Sequence, residues 1–157
     1  MRELSFVYLV QHAEAKSEKE DPARPLSERG WKNARKMANY LSRLNIRVKE
    51  IYHSGKLRAR QTAEVFAELL KPEAIVEDRN LSPSSDPKIW AEKLSKINYE
   101  AMLVGHLPHL SLLTSMLLCN TTSKKIVEFK NSGVLCLRKG ENGWNVYWYL
   151  TPNIVIE

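Results

Sequence analysis

The sequence predicts an α/β fold with three layers, α/β/α, around a mostly parallel central sheet and with a C-terminal antiparallel hairpin. Two observations lead to this prediction. Strand-like apolar runs alternate along the chain with amphipathic, helix-forming segments, as they do in parallel α/β sheets. These apolar runs are also continuous rather than alternating, which is typical of strands that are covered on both faces.

Each element has its own local signal. Dense runs of β-branched, aromatic and aliphatic residues predict strands at residues 4–10, 48–53, 74–77 and 101–105. Apolar periodicity near 3.6 residues, together with cap residues, predicts helices that begin at Ser27, span 57–70, follow Asp86-Pro87 and span 110–118. Two further strand-like runs, 134–138 and 144–150, are joined by the turn sequence Gly140-Glu141-Asn142-Gly143 and predict the hairpin.

Length and composition predict one globular domain over residues 1–157. A domain usually has about 100–200 residues, and 43% hydrophobic with 27% charged residues is a globular composition. The longest apolar runs fall well short of the roughly 20 residues that span a bilayer, and we expect no leader sequence before the first strand. Cys119 and Cys136 stand among apolar residues without CxxC spacing, so we expect two buried thiols in a cytoplasmic protein.

The charge balance favours anionic partners. The chain has 24 Lys and Arg against 18 Asp and Glu, which gives a formal charge of +6. Such a balance suits a phosphorylated protein, a phosphate ester, a nucleic acid or an acidic membrane face. A nucleic-acid-binding module needs cations concentrated on one face, whereas here they are spread along the sequence with acids nearby. We therefore expect neither a nucleic acid nor a membrane as the partner.

Polar residues unsuited to a core follow three of the predicted strands. They are Gln11-His12-Ala13-Glu14-Ala15, the segment 53–62 and Gly105-His106-Leu107-Pro108-His109. Ligands of parallel α/β sheets bind outside the carboxyl ends of the strands, so we expect these segments to face one crevice. Imidazole can act as a nucleophile, and guanidinium matches a phosphoryl group bidentately. The sequence therefore predicts phosphoryl transfer through a covalent histidine.

These segments resemble the motifs of the histidine phosphatase superfamily, which has the phosphoglycerate-mutase-like fold. Within it, the chain is most similar to the compact SixA-type phosphohistidine phosphatases. The resemblance extends over nearly the whole chain and rests on four ordered motifs, at residues 9–15, 24–30, 54–62 and 104–108. The pattern Ser-x-x-x-Arg-Ala-x-Gln-Thr at 54–62 is the most specific of them.

The resemblance implies a role for each of several residues. His12 would be the phosphorylated nucleophile, Arg58 a phosphate clamp, and His106 a second, protonated imidazole that contacts the phosphate. Arg24 is a further candidate for phosphate or substrate binding. Ser54 either contacts phosphate or caps the following helix, and His109 either faces the substrate or lies inside a helix face. The resemblance implies no metal and no cofactor.

One residue departs from the family pattern. The family has Arg before the catalytic His, whereas this chain has the neutral Gln11, also a candidate substrate contact. Charge-assisted hydrogen bonds are roughly twice as strong as neutral ones, so phosphate binding weakens unless Arg24, Lys56 or Arg60 compensates. Two outcomes are open at this point: a working phosphatase with altered affinity, or a phosphate-dependent binding module with little turnover.

The length of the chain bears on the substrate. Larger relatives that cleave phosphate esters carry a carboxylic general acid on an inserted segment, and residues 63–103 leave little room for one. Glu14 is the nearest candidate acid, with a solvated loop carboxylate as the alternative. A phosphohistidine leaving group can arrive already protonated, so we expect the substrate to be phosphohistidine of a signalling or phosphotransfer protein. A small phosphate ester is the alternative substrate.

Overall fold

The structure is a computed structural model that describes residues 5–156. Its elements follow the predicted order: β1 (Ser5–Gln11), α1 (Glu28–Arg43), β2 (Glu50–His53), α2 (Leu57–Leu70), β3 (Ala74–Glu77), α3 (Pro87–Lys96), β4 (Ala101–Gly105), α4 (His109–Cys119), β5 (Val134–Gly140) and β6 (Gly143–Leu150). A short 3-10 turn at Arg79–Leu81 precedes α3. Of the first predicted strand, Leu4 lies outside the described residues.

The six strands form one sheet in the order β3-β2-β4-β1-β5-β6. The four strands β3, β2, β4 and β1 pair in parallel, whereas β5 pairs antiparallel with β1 and with β6. This arrangement confirms the predicted fold class. Because β1, β2 and β4 are neighbours in a parallel array, their carboxyl ends meet at one edge of the sheet.

Apolar side chains of β1 explain the layers. Tyr8 and Val10 point into the cluster under α1 and α2, whereas Val7 and Leu9 point into the cluster under α3 and α4. Successive side chains of a strand face opposite sides, so a continuous apolar run serves both layers. All five residues of β4 are buried, as expected for a strand in the middle of the sheet.

Helix boundaries follow from cap residues. The hydroxyl of Ser27 accepts a hydrogen bond from Gly30 N at 3.0 Å, and the carboxylate of Asp86 accepts one from Lys88 N at 3.0 Å. Each satisfies a backbone donor that the first turn of a helix leaves without a partner. The last residue of helix α4 is Cys119, and the following residue, Asn120, has a left-handed backbone that ends the helix.

The cysteine prediction is half wrong. Cys136 is buried in β5, but Cys119 is exposed. Cys119 is the last residue of α4, where the helix leaves the core, so its apolar neighbours in sequence do not cover it. Within residues 5–156 no helix is long and apolar enough to cross a membrane.

A glycine couples the start of α1 to the loop after β1. A Cβ atom on residue 30 would lie 2.0 Å from the carbonyl oxygen of Glu14, which is a severe steric clash. The resulting backbone shift leads us to expect that Gly30→Ala lowers the free energy of unfolding by about 3 kcal/mol. Urea denaturation of the purified protein measures this value.

Gly140→Ala is the matched control, because the nearest atom to a Cβ there is at 3.5 Å, an ordinary contact. We expect it to change the free energy of unfolding by no more than about 0.5 kcal/mol. Equal losses for the two variants would contradict the close packing between α1 and the loop.

Candidate active site

The carboxyl ends of β1, β2 and β4 bring together the polar segments that the sequence singled out. Gln11, the last residue of β1, lies in register with Gly105 of β4, and His53 of β2 lies in register with Val104. His12 and His106 each follow one of these strands directly. Their ring centroids are 4.9 Å apart, with an angle of 52° between the ring planes.

The ring of His12 is oriented by a hydrogen bond to the main chain. Its Nδ1 lies 2.7 Å from the carbonyl oxygen of Ala13. A carbonyl can only accept, so Nδ1 carries the proton and the neutral ring has an unprotonated Nε2. The main chain of His12 is also held on both sides, because its N–H donates to Gly105 O at 3.0 Å and its carbonyl accepts from Asn131 Nδ2 at 2.8 Å.

Electrostatics keeps His12 neutral. Burial lowers the pKa of His12 to about 4, and the positive charges of Arg58 and Arg24 act in the same direction, against the hydrogen bond to Ala13. Above about pH 4 the imidazole is therefore unprotonated at Nε2. An unprotonated ring nitrogen is the form of histidine that can act as a nucleophile.

His106 lies beside His12 and is almost fully buried. Its Nε2 shares a hydrogen bond of 2.6 Å with Ser54 Oγ, which also accepts from Lys56 N at 3.3 Å. Burial, together with the nearby His12 and Arg58, lowers the pKa of His106 to about 3. The ring is therefore neutral at pH 7, and a protonated His106 against a bound phosphoryl group stays a prediction.

Arg58 stands in the first turn of α2, facing the same crevice. Its Nε is buried without a hydrogen-bond partner, and its guanidinium forms no ion pair among residues 5–156. Burial and the charge of Arg24 lower its pKa, while Glu18 acts in the opposite direction. Thr62 Oγ1 donates to Arg58 O at 2.8 Å and accepts from Ala13 N at 2.9 Å, which ties α2 to the His12 loop.

Arg24 contributes a positive charge near this site, whereas Gln11 contributes a neutral, partly buried side chain. Arg24 has a left-handed backbone with φ of 50°, and its Nε donates to Lys16 O at 3.1 Å. Its charge lowers the pKa of both His12 and Arg58, so the guanidinium lies near both. The side-chain oxygen of Gln11 is buried and has no hydrogen-bond partner among the described residues.

Other polar residues of the motifs have structural contacts. Glu14 Oε1 accepts from Ser27 Oγ at 2.9 Å, and Glu14 Oε2 lies 3.6 Å from Arg29 Nη1, so this carboxylate is engaged at the start of α1. Arg60 pairs with Glu64 at 3.6 Å on the outer side of α2. His109, by contrast, is completely buried, and neither of its ring nitrogens has a hydrogen-bond partner among the described residues.

Sequence reasoning missed the segment before β5. Asn131 holds the His12 carbonyl, and the N–H of the buried Ser132 donates to Gln11 O at 3.0 Å. Only the small and polar run Asn131-Ser132-Gly133 before the strand marks this segment in sequence. No three His, Cys, Asp or Glu side chains stand close enough together to hold a metal ion in the part of the chain that the structure describes.

The arrangement has a clear chemical capacity. An imidazole with an unprotonated nitrogen lies beside a second imidazole, with Arg58 and Arg24 nearby and polar atoms of Arg58 and His106 left without partners among the described residues. Unpartnered buried donors beside uncompensated positive charge form a site for a multivalent anion. A phosphoryl group has the charge and the acceptor oxygens for such a site.

Comparisons with known proteins agree with this geometry. The model of the histidine phosphatase superfamily (branch 1) matches residues 7–82, a range that contains His12, Arg24 and Arg58. The phosphohistidine phosphatase SixA of Escherichia coli (strain K12) is 26% identical over 153 residues, which cover 93% of each chain.

Solved structures share the fold. The protein histidine phosphatase SixA complexed with tungstate has a TM-score of 0.83 at 23% identity, with 94% of this chain and 97% of that chain covered. A phosphoglycerate mutase from Bacillus anthracis str. Sterne has a TM-score of 0.69 at 14% identity, with 92% of each chain covered. These matches agree with the four ordered motifs: the chain is similar to the histidine phosphatase superfamily (branch 1) over residues 7–82 and to SixA over most of its length.

Proposed function

We propose that the protein is a phosphatase that removes a phosphoryl group through a phosphohistidine intermediate on His12, and that its substrate is phosphohistidine of a signalling or phosphotransfer protein. The observation that carries the proposal is the hydrogen bond from His12 Nδ1 to Ala13 O, at 2.7 Å. It leaves Nε2 unprotonated on a ring that lies beside His106 and near the charges of Arg58 and Arg24.

The first step is attack of His12 Nε2 on phosphorus. A bond forms between Nε2 and phosphorus while the bond from phosphorus to the substrate nitrogen breaks. If the substrate ring is protonated on its other nitrogen, it leaves as neutral imidazole and needs no acid from the protein. Arg58 and the His106 ring bind the equatorial oxygens, because positioning and electrostatics supply most of the catalysis of phosphoryl transfer.

The second step regenerates the protein. In the intermediate, His12 carries phosphorus on Nε2 and still holds its proton on Nδ1 against Ala13 O. The ring is therefore a cation and leaves as neutral imidazole when water attacks phosphorus. The proton lost by the water stays with the released phosphate. The same hydrogen bond thus serves both steps, first by exposing the nucleophile and then by keeping it a good leaving group.

Three features support a phosphohistidine substrate. Residues 63–103 are taken up by the remainder of α2, β3, the 3-10 turn, α3 and β4, which leaves no inserted unit over the crevice. The nearest carboxylate in sequence, Glu14, is held by Ser27 and Arg29. Ester cleavage needs a proton donor for an alkoxide, whereas a protonated imidazole leaves without one. The SixA of Escherichia coli, similar over most of the chain, is a phosphohistidine phosphatase by name.

Gln11 leaves one positive charge fewer beside the nucleophile than the family pattern has. Arg24 supports a working enzyme, because its charge already acts on both His12 and Arg58. Lys56 is a further contributor, since its charge acts on His106. We infer that Arg24 supplies the phosphate contact that the family arginine makes elsewhere, while Gln11 stays a neutral neighbour of the bound group.

Turnover tests the function directly. The parent is expected to hydrolyse a phosphohistidine protein faster than an aryl phosphate, and His12→Ala is expected to abolish both activities because no nucleophile remains. Released phosphate is the readout. If the parent protein shows no activity and Gln11→Arg is active, the result would contradict a working enzyme and favour a binding module. A strong preference of the parent for small phosphate esters would contradict the proposed substrate class.

Arg24→Ala tests the proposed replacement of the missing arginine. Loss of a charged phosphate contact is expected to lower kcat/KM about tenfold or more. The same variant is expected to raise the pKa of His12 above the value of about 4 in the parent, because a neighbouring positive charge is removed. NMR titration of the imidazole carbon signals measures this shift.

Arg60→Ala is the matched control for Arg24→Ala, because Arg60 pairs with Glu64 on the outer side of α2. It is expected to leave both kcat/KM and the His12 titration unchanged. If Arg24→Ala behaves like Arg60→Ala in both measurements, Arg24 is not the replacement.

A further inference from the structure

The exposed face of α1 carries an unusual concentration of positive charge. Over Glu28–Arg43 the helix has one acidic residue, Glu28, against five basic residues, whereas the whole chain has 18 acidic against 24 basic residues. The five are Arg29, Lys32, Arg35, Lys36 and Arg43. Along the sequence these cations look dispersed, but the helical repeat gathers most of them on one side.

The side chains on this side of the helix form a shallow, open groove of about 720 Å³. It is lined by residues of α1 at helical spacing: Glu28, Trp31, Lys32, Arg35, Asn39 and Arg43, beside Lys36. We call it the α1 groove. Lys36 donates to Pro152 O at 2.7 Å, whereas Lys32, Arg35 and Arg43 form no ion pair among residues 5–156. Positive charge in the groove is therefore free to act on a partner.

The N-terminal end of the groove lies next to the loop that follows His12. Ser27, the cap of α1, donates its N–H to Glu14 O at 3.0 Å, and Glu14 follows the nucleophile by two residues. With a rise of 1.5 Å per residue, α1 carries the basic strip about 24 Å away from that end. A protein that presents a phosphohistidine to His12 can thus lie along α1 at the same time.

We propose that the α1 groove is the docking surface for an acidic region of the phosphohistidine-bearing partner, an assignment that rests on the proposed function. Charge complementarity sets the class of the partner, because an acidic protein face matches a strip of unpaired Lys and Arg. A nucleic acid is the less suitable occupant. Trp31, the aromatic ring of the groove, packs partly against the core, and the guanidinium of Arg35 lies 5.5 Å from its centroid, so the ring is already engaged within the protein.

A glutamate-rich peptide is the probe for the groove itself. It is titrated into the full-length ¹⁵N-labelled protein, and NMR shifts of residues 28–43 are the readout. The double variant Lys32→Glu with Arg35→Glu is expected to weaken binding about tenfold or more. The control, Lys124→Glu with Lys125→Glu, makes the same change of charge at exposed residues between α4 and β5 and is expected to bind as the parent does.

Turnover of a phosphorylated protein provides a second test of the docking surface. With an acidic phosphotransfer domain phosphorylated on histidine, the Lys32 and Arg35 double variant is expected to raise KM about tenfold while kcat stays unchanged. Its kcat/KM for an aryl phosphate is expected to equal that of the parent, because the small substrate does not reach the groove.

Three results would overturn the docking surface: peptide shifts outside α1, an equal loss of binding in the control variant, or tighter binding of a DNA duplex to the same residues. Peptide binding does not require turnover, so a failure of the peptide to bind counts against the docking surface alone. Intact peptide binding with no turnover of phosphoprotein by the parent counts against the proposed function.

Discussion

The hydrogen bond between His12 Nδ1 and the carbonyl of Ala13 determines which nitrogen faces the crevice, and the rest of the structure holds this pair in place. Gly105 and Asn131 anchor the main chain of His12, while Thr62 anchors Ala13. These partners come from β4, from the segment before β5 and from α2. The fold therefore brings three distant parts of the chain to one imidazole, and the close packing of Gly30 on Glu14 secures the loop that follows.

Burial and charge work together around this pair. The two neighbouring imidazoles have pKa values of about 4 and about 3, so both are neutral in the unliganded site at pH 7. Positive charge then comes from arginines, which stay protonated under these conditions. A bound phosphoryl group would reverse the balance at His106, because a neighbouring anion favours the protonated ring. Gln11 leaves the site with one positive charge fewer than the Arg of the family pattern would give, a loss that we propose Arg24 offsets.

Much of the fold could be predicted from the sequence because local patterns specify it. The bounds of α2 match the predicted 57–70, since its apolar face is continuous and Lys71 ends it in a left-handed conformation. His12, Arg58 and His106 were identifiable because each follows a strand end or a helix start. Other features depend on distant contacts. Asn131 meets His12 across 119 residues, and neither partner has a local signal for this contact.

Two features of the molecule depend on the tertiary structure. The sequence predicts a protonated His106 against bound phosphate, which stays a prediction, whereas the pKa of the imidazole itself is lowered by burial and by neighbouring cations that only the fold brings together. The sequence also presents the positive charges as dispersed, because spacing along the chain hides the side of a helix on which each residue lies. Once α1 is formed, Lys32, Arg35, Lys36 and Arg43 line one shallow groove on its exposed side.

Trapping the intermediate is the direct test of whether the phosphoryl group passes through His12. The protein is mixed with a phosphohistidine protein, quenched in alkali within the first turnover and digested for mass spectrometry. We expect one phosphoryl group on His12 in the peptide of the parent protein. The corresponding peptide of His12→Ala, quenched in the same way, is expected to carry none. Hydrolysis of the substrate at full rate with no phosphoryl group on the parent peptide, or with equal turnover by His12→Ala, would contradict transfer through His12.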